Sequence, residues 1–328
     1  MSKSLTTGTP ASLGFCPDRT VGLMHVLQSE VASQRLPGAV ALIARHGQVL
    51  LHSSVGMQMP ALGKPMALDS IFRIYSMTKP VVSVAIMMLM ERGKLLLSDP
   101  VSKHLPEFAN VQVMAHVSGH AVLHHPKAAP TVQDLLRHTS GLTYEILGSE
   151  PIQKQYAQAR LASRERSNAE FSQALAAMPL MFEPGTTWEY SRATDLLGAL
   201  LEVVAGQSLG DFLQHNIFGP LGMVDTAFHV PPEKHHRIAE PFESDPDGGI
   251  AMKLIDVRQP ARMEAGGAGL VSTSADYARF LQCLLNGGEL DGVRVLGPNT
   301  VRYMTADHLG HIGVHRAGRS GELLPPGH

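Results

Sequence analysis

Apolar residues recur along the chain with two different periods, and each change of period marks an element. Over residues 18–33, Val21, Met24, Leu27 and Val31 fall at three- and four-residue spacing, which predicts an amphipathic helix. Leu36-Pro37-Gly38 breaks it. Residues 39–44 and 49–53 then read as strands, and His46-Gly47 between them signals a tight turn, so a β-hairpin is predicted. Residues 71–94 hold the most apolar helix of the chain. Residues 110–130 read as irregular and carry four histidines (His116, His120, His124 and His125). Thr131 with Asp134 three positions on is a capping-box signature ahead of Leu135 and Leu136. A helix follows near residues 169–178, then a turn at Glu183-Pro184-Gly185, then a helix over 195–205 stopped by Gly206. Ser208 can cap the next, with Leu209, Phe212, Leu213 and Ile217 inward. Residues 231–260 are polar and irregular, and 264–270 form a glycine-rich return. Ser274 caps a last helix carrying Tyr277, Phe280, Leu281, Leu284 and Leu285, which ends at Asn286-Gly287-Gly288.

This order predicts an α+β fold, an α/β sandwich interrupted by an all-helical insertion. The expected division is a loose lead-in at 1–17, an α/β domain built from 18–105 and 264–328, and a mostly helical insertion at 106–263. With 27 basic and 29 acidic residues interspersed and a net charge of -2, no basic stripe argues for nucleic acid and no polybasic segment for a membrane surface. The apolar run 81–90 is interrupted by Ser83 and is too short to cross a bilayer. Met1-Ser2-Lys3-Ser4-Leu5-Thr6-Thr7-Gly8 has no apolar core of a signal peptide, so the expectation is a soluble, cytoplasmic protein. Cys16 and Cys283, far apart in a long chain, read as two buried thiols rather than a disulfide framework. Nothing in the sequence specifies an oligomeric state.

The strongest chemical signal is Ser76-Met77-Thr78-Lys79-Pro80. Three residues make about one helical turn, so Ser76 and Lys79 would stand side by side on one face. A serine hydroxyl needs a neighbour to take its proton, and a desolvated lysine can do so. Pro80 belongs near a helix start, which puts Ser76 at or just before the N-terminus, where backbone N–H groups favour developing negative charge. On its own the spacing is weak, since a capping serine with a solvated lysine is the commoner outcome. The histidines at four-residue spacing suggest a metal face, but Gly119 and Pro126 oppose a helix there and no Cys or carboxylate lies among them, so a solvated loop is expected and no metal. The G-x-S-x-G elbow, H-E-x-x-H, P-loop and dinucleotide fingerprints are missing from the sequence, and no cofactor is implied.

Wider context sharpens the serine motif. Phe72 to Pro80 with Gly93-Lys94-Leu95 and Asp99-Pro100-Val101, then Thr131 through Leu142, Phe182 through Ser191, Pro220 through Thr226 and Gly266 through Thr273 occur in the order in which similar segments occur in one family. The chain resembles the serine β-lactamase and penicillin-binding-protein family, which contains class C β-lactamases, D-alanyl-D-alanine peptidases and related (family VIII) carboxylesterases. The resemblance runs from about residue 20 to the end. It implies a β-lactamase/transpeptidase-like fold, Ser76 as acylated nucleophile, Lys79 as its base and Tyr190, at the head of a Tyr-x-Asn-like triplet, as the catalytic tyrosine. It also implies Tyr75, Ser191 and Arg192 at the substrate side, and a small-molecule ester or amide as substrate. Arg192 stands where the family carries the asparagine that helps bind a β-lactam's amide, which leans the expectation toward the esterase branch and leaves β-lactamase, peptidase and non-catalytic binding module as alternatives. The family's third motif (Lys-Thr-Gly, Trp-Gly-Gly or His-x-Gly) should follow the segment near Gly321 to Pro325, and Gly310-His311-Ile312-Gly313 is a poor substitute without strand-like surroundings. The expectation is therefore a C-terminally truncated chain, with part of the central antiparallel sheet missing and doubtful activity.

Overall fold

In a computed structural model, residues 5–117, 120–249 and 251–314 are described. The main elements in chain order are α1 (Pro17–Ala32), β1 (Gly38–Arg45), β2 (Gln48–Met59), α2 (Thr78–Glu91), β3 (Val113–Val117), β4 (His120–His124), α3 (Val132–Leu136), α4 (Pro151–Gln158), α5 (Asn168–Ala176), α6 (Ala193–Ala205) and α7 (Ser274–Leu285). Packing divides the chain into two compact units. One comprises Met1–Ile74, Gln214–Pro260 and Leu270–Gly297; the other comprises Tyr75–Leu213, Ala261–Gly269 and Pro298–His328. These cuts lie elsewhere than those drawn from element order: α2 groups with the helical stretch, and residues 214–260 group with the hairpin.

In the first unit β1 and β2 pair antiparallel from Gly38↔Gly56 to Arg45↔Gln48, with a register shift at Ile43/Ala44. His46 and Gly47 both have positive φ (52° and 76°), the conformation a two-residue hairpin turn demands. Gly56 is also required (φ +75°), since a Cβ there would lie 2.5 Å from the Pro37 carbonyl oxygen. Thr6–Thr7 adds to β2 in parallel, and Lys64–Pro65 pairs with its far end. α1 packs on β2 through half-buried Met24, Leu27 and Val31, but Val21 is 65% exposed, because the helix meets one strand pair rather than a deep core. α7 packs on β1, and its N-cap is Thr273, which accepts the Asp276 N–H, one residue before the expected Ser274. Phe72–Arg73 pairs with Val271–Ser272, and Ile71, Val230, Ile238, Val257 and Val271 form a buried cluster beside them. Both cysteines are free; Cys283 is buried, but Cys16 is exposed as the N-cap of α1, against the expectation of two buried thiols.

The second unit is built around α2, buried on nearly every side through Val81, Val82, Val84, Ala85, Ile86, Met87, Met88 and Leu89. A helix apolar all round must sit in a core. α6 packs against it with Leu196, Leu197, Leu200 and Leu201 buried and ends at Gly206 (φ 67°), while α3 and α5 cover α6. α3 begins at the Thr131/Asp134 capping box, and α5 carries a second at Ser167/Glu170. The stretch read as irregular contains a β-hairpin, β3 with β4, running from Val113↔His124 to Val117↔His120. Among the described residues no single helix is long and apolar enough to cross a membrane.

Candidate active site

The second unit contains the whole serine-centred cluster. Tyr75–Met77 forms a single 3₁₀ turn that leads into α2, and Tyr75 takes φ 43°, an uncommon value for a non-glycine residue. Ser76 is exposed just before the helix start, with Pro80 as the third helical residue. One turn on, Lys79 is buried, and its Nζ donates to Ser76 Oγ at 3.2 Å. The same ammonium donates to the Gly267 carbonyl at 2.7 Å and lies 3.3 Å from the Tyr144 hydroxyl. The apolar body of α2 fixes the backbone beneath both residues, so the pair is held by core packing.

Tyr190 follows the short strand Thr187–Trp188, and its hydroxyl donates to Ser76 Oγ at 2.6 Å. Its ring sits among Trp188, His138 and Tyr144, at centroid distances of 6.4, 5.0 and 5.3 Å. The Lys79 Nζ lies 4.6 Å from the same ring, within range of a cation–π attraction. Lys79 Nζ and the Tyr190 hydroxyl thus meet at the Ser76 oxygen.

Tyr144 is a residue the sequence reading missed. It lies two positions past the helix-to-loop signature that ends at Leu142, and that closeness was the available signal. Its phenol is buried, and that burial, with Asp195 nearby, pushes its pKa well above the ordinary tyrosine value. It therefore stays a neutral hydroxyl beside the ammonium.

The other expected site residues are differently placed. Tyr75 is exposed next to Ser76. Ser191 is fully buried, its Oγ 3.0 Å from His138 Nδ1. Burial, then the Lys79 charge, pushes the His138 imidazole down to about 3, so it is neutral at ordinary pH. Arg192 turns away from solvent onto Glu145 and Asp195 (Nε–Oε2 3.1 Å and Nη1–Oδ2 3.3 Å), with a second, shorter contact to Glu145 and its guanidinium 4.8 Å from the Tyr144 ring centroid. Burial opposes its charge, but the two carboxylates more than offset this and raise its affinity for the proton. Gly313–Val314 pairs in parallel with Thr187–Trp188, two residues before Tyr190; of the segment Gly310-His311-Ile312-Gly313 only the last residue is in a strand. Gly321 to Pro325 and the side chain of His116 lie outside the described residues. Among the described residues no three His, Cys, Asp or Glu side chains are grouped to hold a metal ion.

The sequence profile of the Beta-lactamase family matches residues 23–319. Protein Rv1367c of Mycobacterium tuberculosis (strain ATCC 25618 / H37Rv) is 37% identical over 278 residues, covering 84% of this chain and 68% of that protein. Esterase EstB of Burkholderia gladioli is 34% identical over 279 residues, covering 79% of this chain and 68% of its own length. Among solved structures, EstCE1, a hydrolase with promiscuous acyltransferase activity, superposes with a TM-score of 0.72 at 28% identity, over 86% of this chain and 75% of that one. The architecture is accordingly the mixed helix-and-sheet fold that the sequence resemblance implies.

Proposed function

The chain belongs to the Beta-lactamase family of serine hydrolases, and we propose that it acts as a carboxylesterase on small or short-chain acyl esters, with Ser76 as nucleophile and Lys79 and Tyr190 as its proton carriers. The observation that carries this reading is the convergence of the Lys79 ammonium (3.2 Å) and the Tyr190 hydroxyl (2.6 Å) on the Ser76 oxygen. In the reacting form Lys79 Nζ is a neutral amine, and Ser76 Oγ attacks the ester carbonyl as its proton is relayed through the Tyr190 oxygen to that amine, which returns it to Tyr190 for the leaving group. The tetrahedral oxyanion forms beside the backbone N–H groups at the start of α2. Collapse expels the alcohol, which takes a proton from Tyr190 and leaves an acyl-serine. Water then attacks the acyl carbon, gives its proton back through the same pair, and releases the acid with Ser76 restored.

Ester rather than β-lactam or peptide chemistry is supported by Arg192, which is engaged with Glu145 and Asp195 and offers no amide to a substrate. Ser191 and Arg192 accordingly support the frame of the site, and Tyr75, exposed beside the nucleophile, is the one expected substrate-side residue that we retain there. The test is turnover of p-nitrophenyl butyrate against a chromogenic cephalosporin, together with labelling by a fluorophosphonate. Labelling and ester turnover should both vanish in Ser76→Ala. A well-folded wild-type protein that takes no label would sink the proposal in favour of a binding module. A second reading, acyl transfer to an alcohol in place of water, is favoured by the likeness to EstCE1. Product analysis with an added short-chain alcohol separates the two, because transfer yields a new ester at the expense of free acid.

A further inference from the structure

The shortest bond that Lys79 makes is not to the serine but to the Gly267 carbonyl. What fixes Gly267 therefore fixes the lysine. The N–H of Gly267 donates to Asp195 Oδ1 at 2.7 Å, and both groups are buried. Asp195 lies in the first turn of α6, where an aspartate commonly satisfies its own helix end. Here its other oxygen faces Arg192 Nη1 at 3.3 Å, so one oxygen holds the distant loop and the other meets a cation. The fit is close: a Cβ on Gly267 would lie 2.8 Å from Asp195 Oδ1, and one on Gly266 would lie 2.5 Å from the Thr194 carbonyl oxygen. Glycine brings no rigidity of its own, so the loop needs an external anchor to hold one conformation.

We propose that Asp195 is a positioning residue for Lys79: its carboxylate anchors Gly267, whose carbonyl holds the lysine ammonium against Ser76. Arg192, itself held by Glu145, completes the device by orienting Asp195. The groups that face Lys79 are the Ser76 hydroxyl, the phenols of Tyr144 and Tyr190, the neutral His138 and the Gly267 carbonyl; Asp195 is the carboxylate that reaches it through a single residue. Removing that anion weakens the attraction that favours positive charge at Lys79 Nζ.

The effect on turnover rests on the esterase reading; the effect on the lysine does not, and the test keeps them apart. Asp195→Ala removes both charge and acceptor, whereas Asp195→Asn keeps an oxygen for the Gly267 N–H. In Asp195→Ala, kcat on p-nitrophenyl butyrate should fall about tenfold or more while KM changes less than about threefold, with much of the loss recovered in Asp195→Asn. In both variants the acid limb of kcat/KM should move to lower pH, by about half a unit or more. Competitive labelling with acetic anhydride, read by mass spectrometry, should show Lys79 acetylation moving the same way. A purely structural aspartate would move neither profile. Folded variants with unchanged profiles overturn the proposal, and if Asp195→Ala does not fold, Asp195→Asn alone decides it. Absent ester turnover in the wild type with a shifted acetylation profile would remove the esterase reading and leave the positioning role standing.

Discussion

Tyr190→Phe removes one oxygen and nothing else. The ring keeps its neighbours Trp188, His138 and Tyr144, and the Lys79 ammonium keeps its place 4.6 Å from the ring. What disappears is the 2.6 Å donor to Ser76 Oγ. A positioned proton carrier contributes about 10²–10⁴ in rate. At about 1.36 kcal/mol per tenfold, the barrier should rise by about 3–5 kcal/mol. The stability change should be far smaller, since a half-exposed hydroxyl bond contributes at most about 1 kcal/mol net. Burst kinetics with p-nitrophenyl butyrate and the second-order rate of fluorophosphonate labelling give the first quantity, and urea unfolding gives the second. The expected outcome is a loss of at least about a hundredfold in kcat with a nearly unchanged unfolding free energy. If Tyr190→Phe keeps a rate within about threefold of wild type while Ser76→Ala is inert, the phenol is not the proton carrier, and Lys79 must act alone or through water.

Two further expectations concern the frame of the site. Burial and the Lys79 charge hold the His138 imidazole neutral down to about pH 3, whereas the unfolded chain takes up that proton near the ordinary value of 6.5. The folded pKa is depressed, so this site's share of stability is fully present above about pH 6.5 and drains away as pH falls toward 3, by at most about 1.4 kcal/mol per unit. Urea midpoints at pH 7 and pH 5 should differ less in His138→Asn than in wild type, and equal pH dependence in the two would contradict this. Glu145→Gln weakens one of the two carboxylate partners of a nearly buried guanidinium and should destabilise the protein by about 3 kcal/mol in urea unfolding, an effect that a loosely held surface arginine would not produce.

Elements whose cause is local were legible in the sequence. The turn of the hairpin is read from His46-Gly47, the start of α3 from Thr131 and Asp134, and the end of α6 from Gly206, because each signal acts within four residues of its effect. Ser76 and Lys79 belong to the same class, since a helical turn sets their separation. What could not be read depends on partners far along the chain. β3 carries one histidine among apolar residues and β4 an apolar triplet between two histidines, and it is their pairing with each other that makes them strands. The Gly313–Val314 strand exists only because Thr187–Trp188 lies alongside it. The direction of Arg192 is set by Glu145, 47 positions away, and without that carboxylate its place after Tyr190-Ser191 points as readily to a substrate.

The arginine at the third place of the tyrosine triplet does more than subtract an amide from the site. Its charge is nearly buried, and a buried cation is tolerable only with carboxylates against it. Those carboxylates are Glu145, beside Tyr144, and Asp195, which anchors Gly267. Arg192 thus links the loop that carries the second phenol to the loop that carries the lysine's acceptor, and its guanidinium lies against the Tyr144 ring between them. A polar group that would face the substrate in an amide-binding site is here spent inside the wall. Among the side chains next to Ser76, Tyr75 and Met77 are exposed and Tyr190 is half-exposed. Apolar surface on these side chains gains from covering an acyl chain.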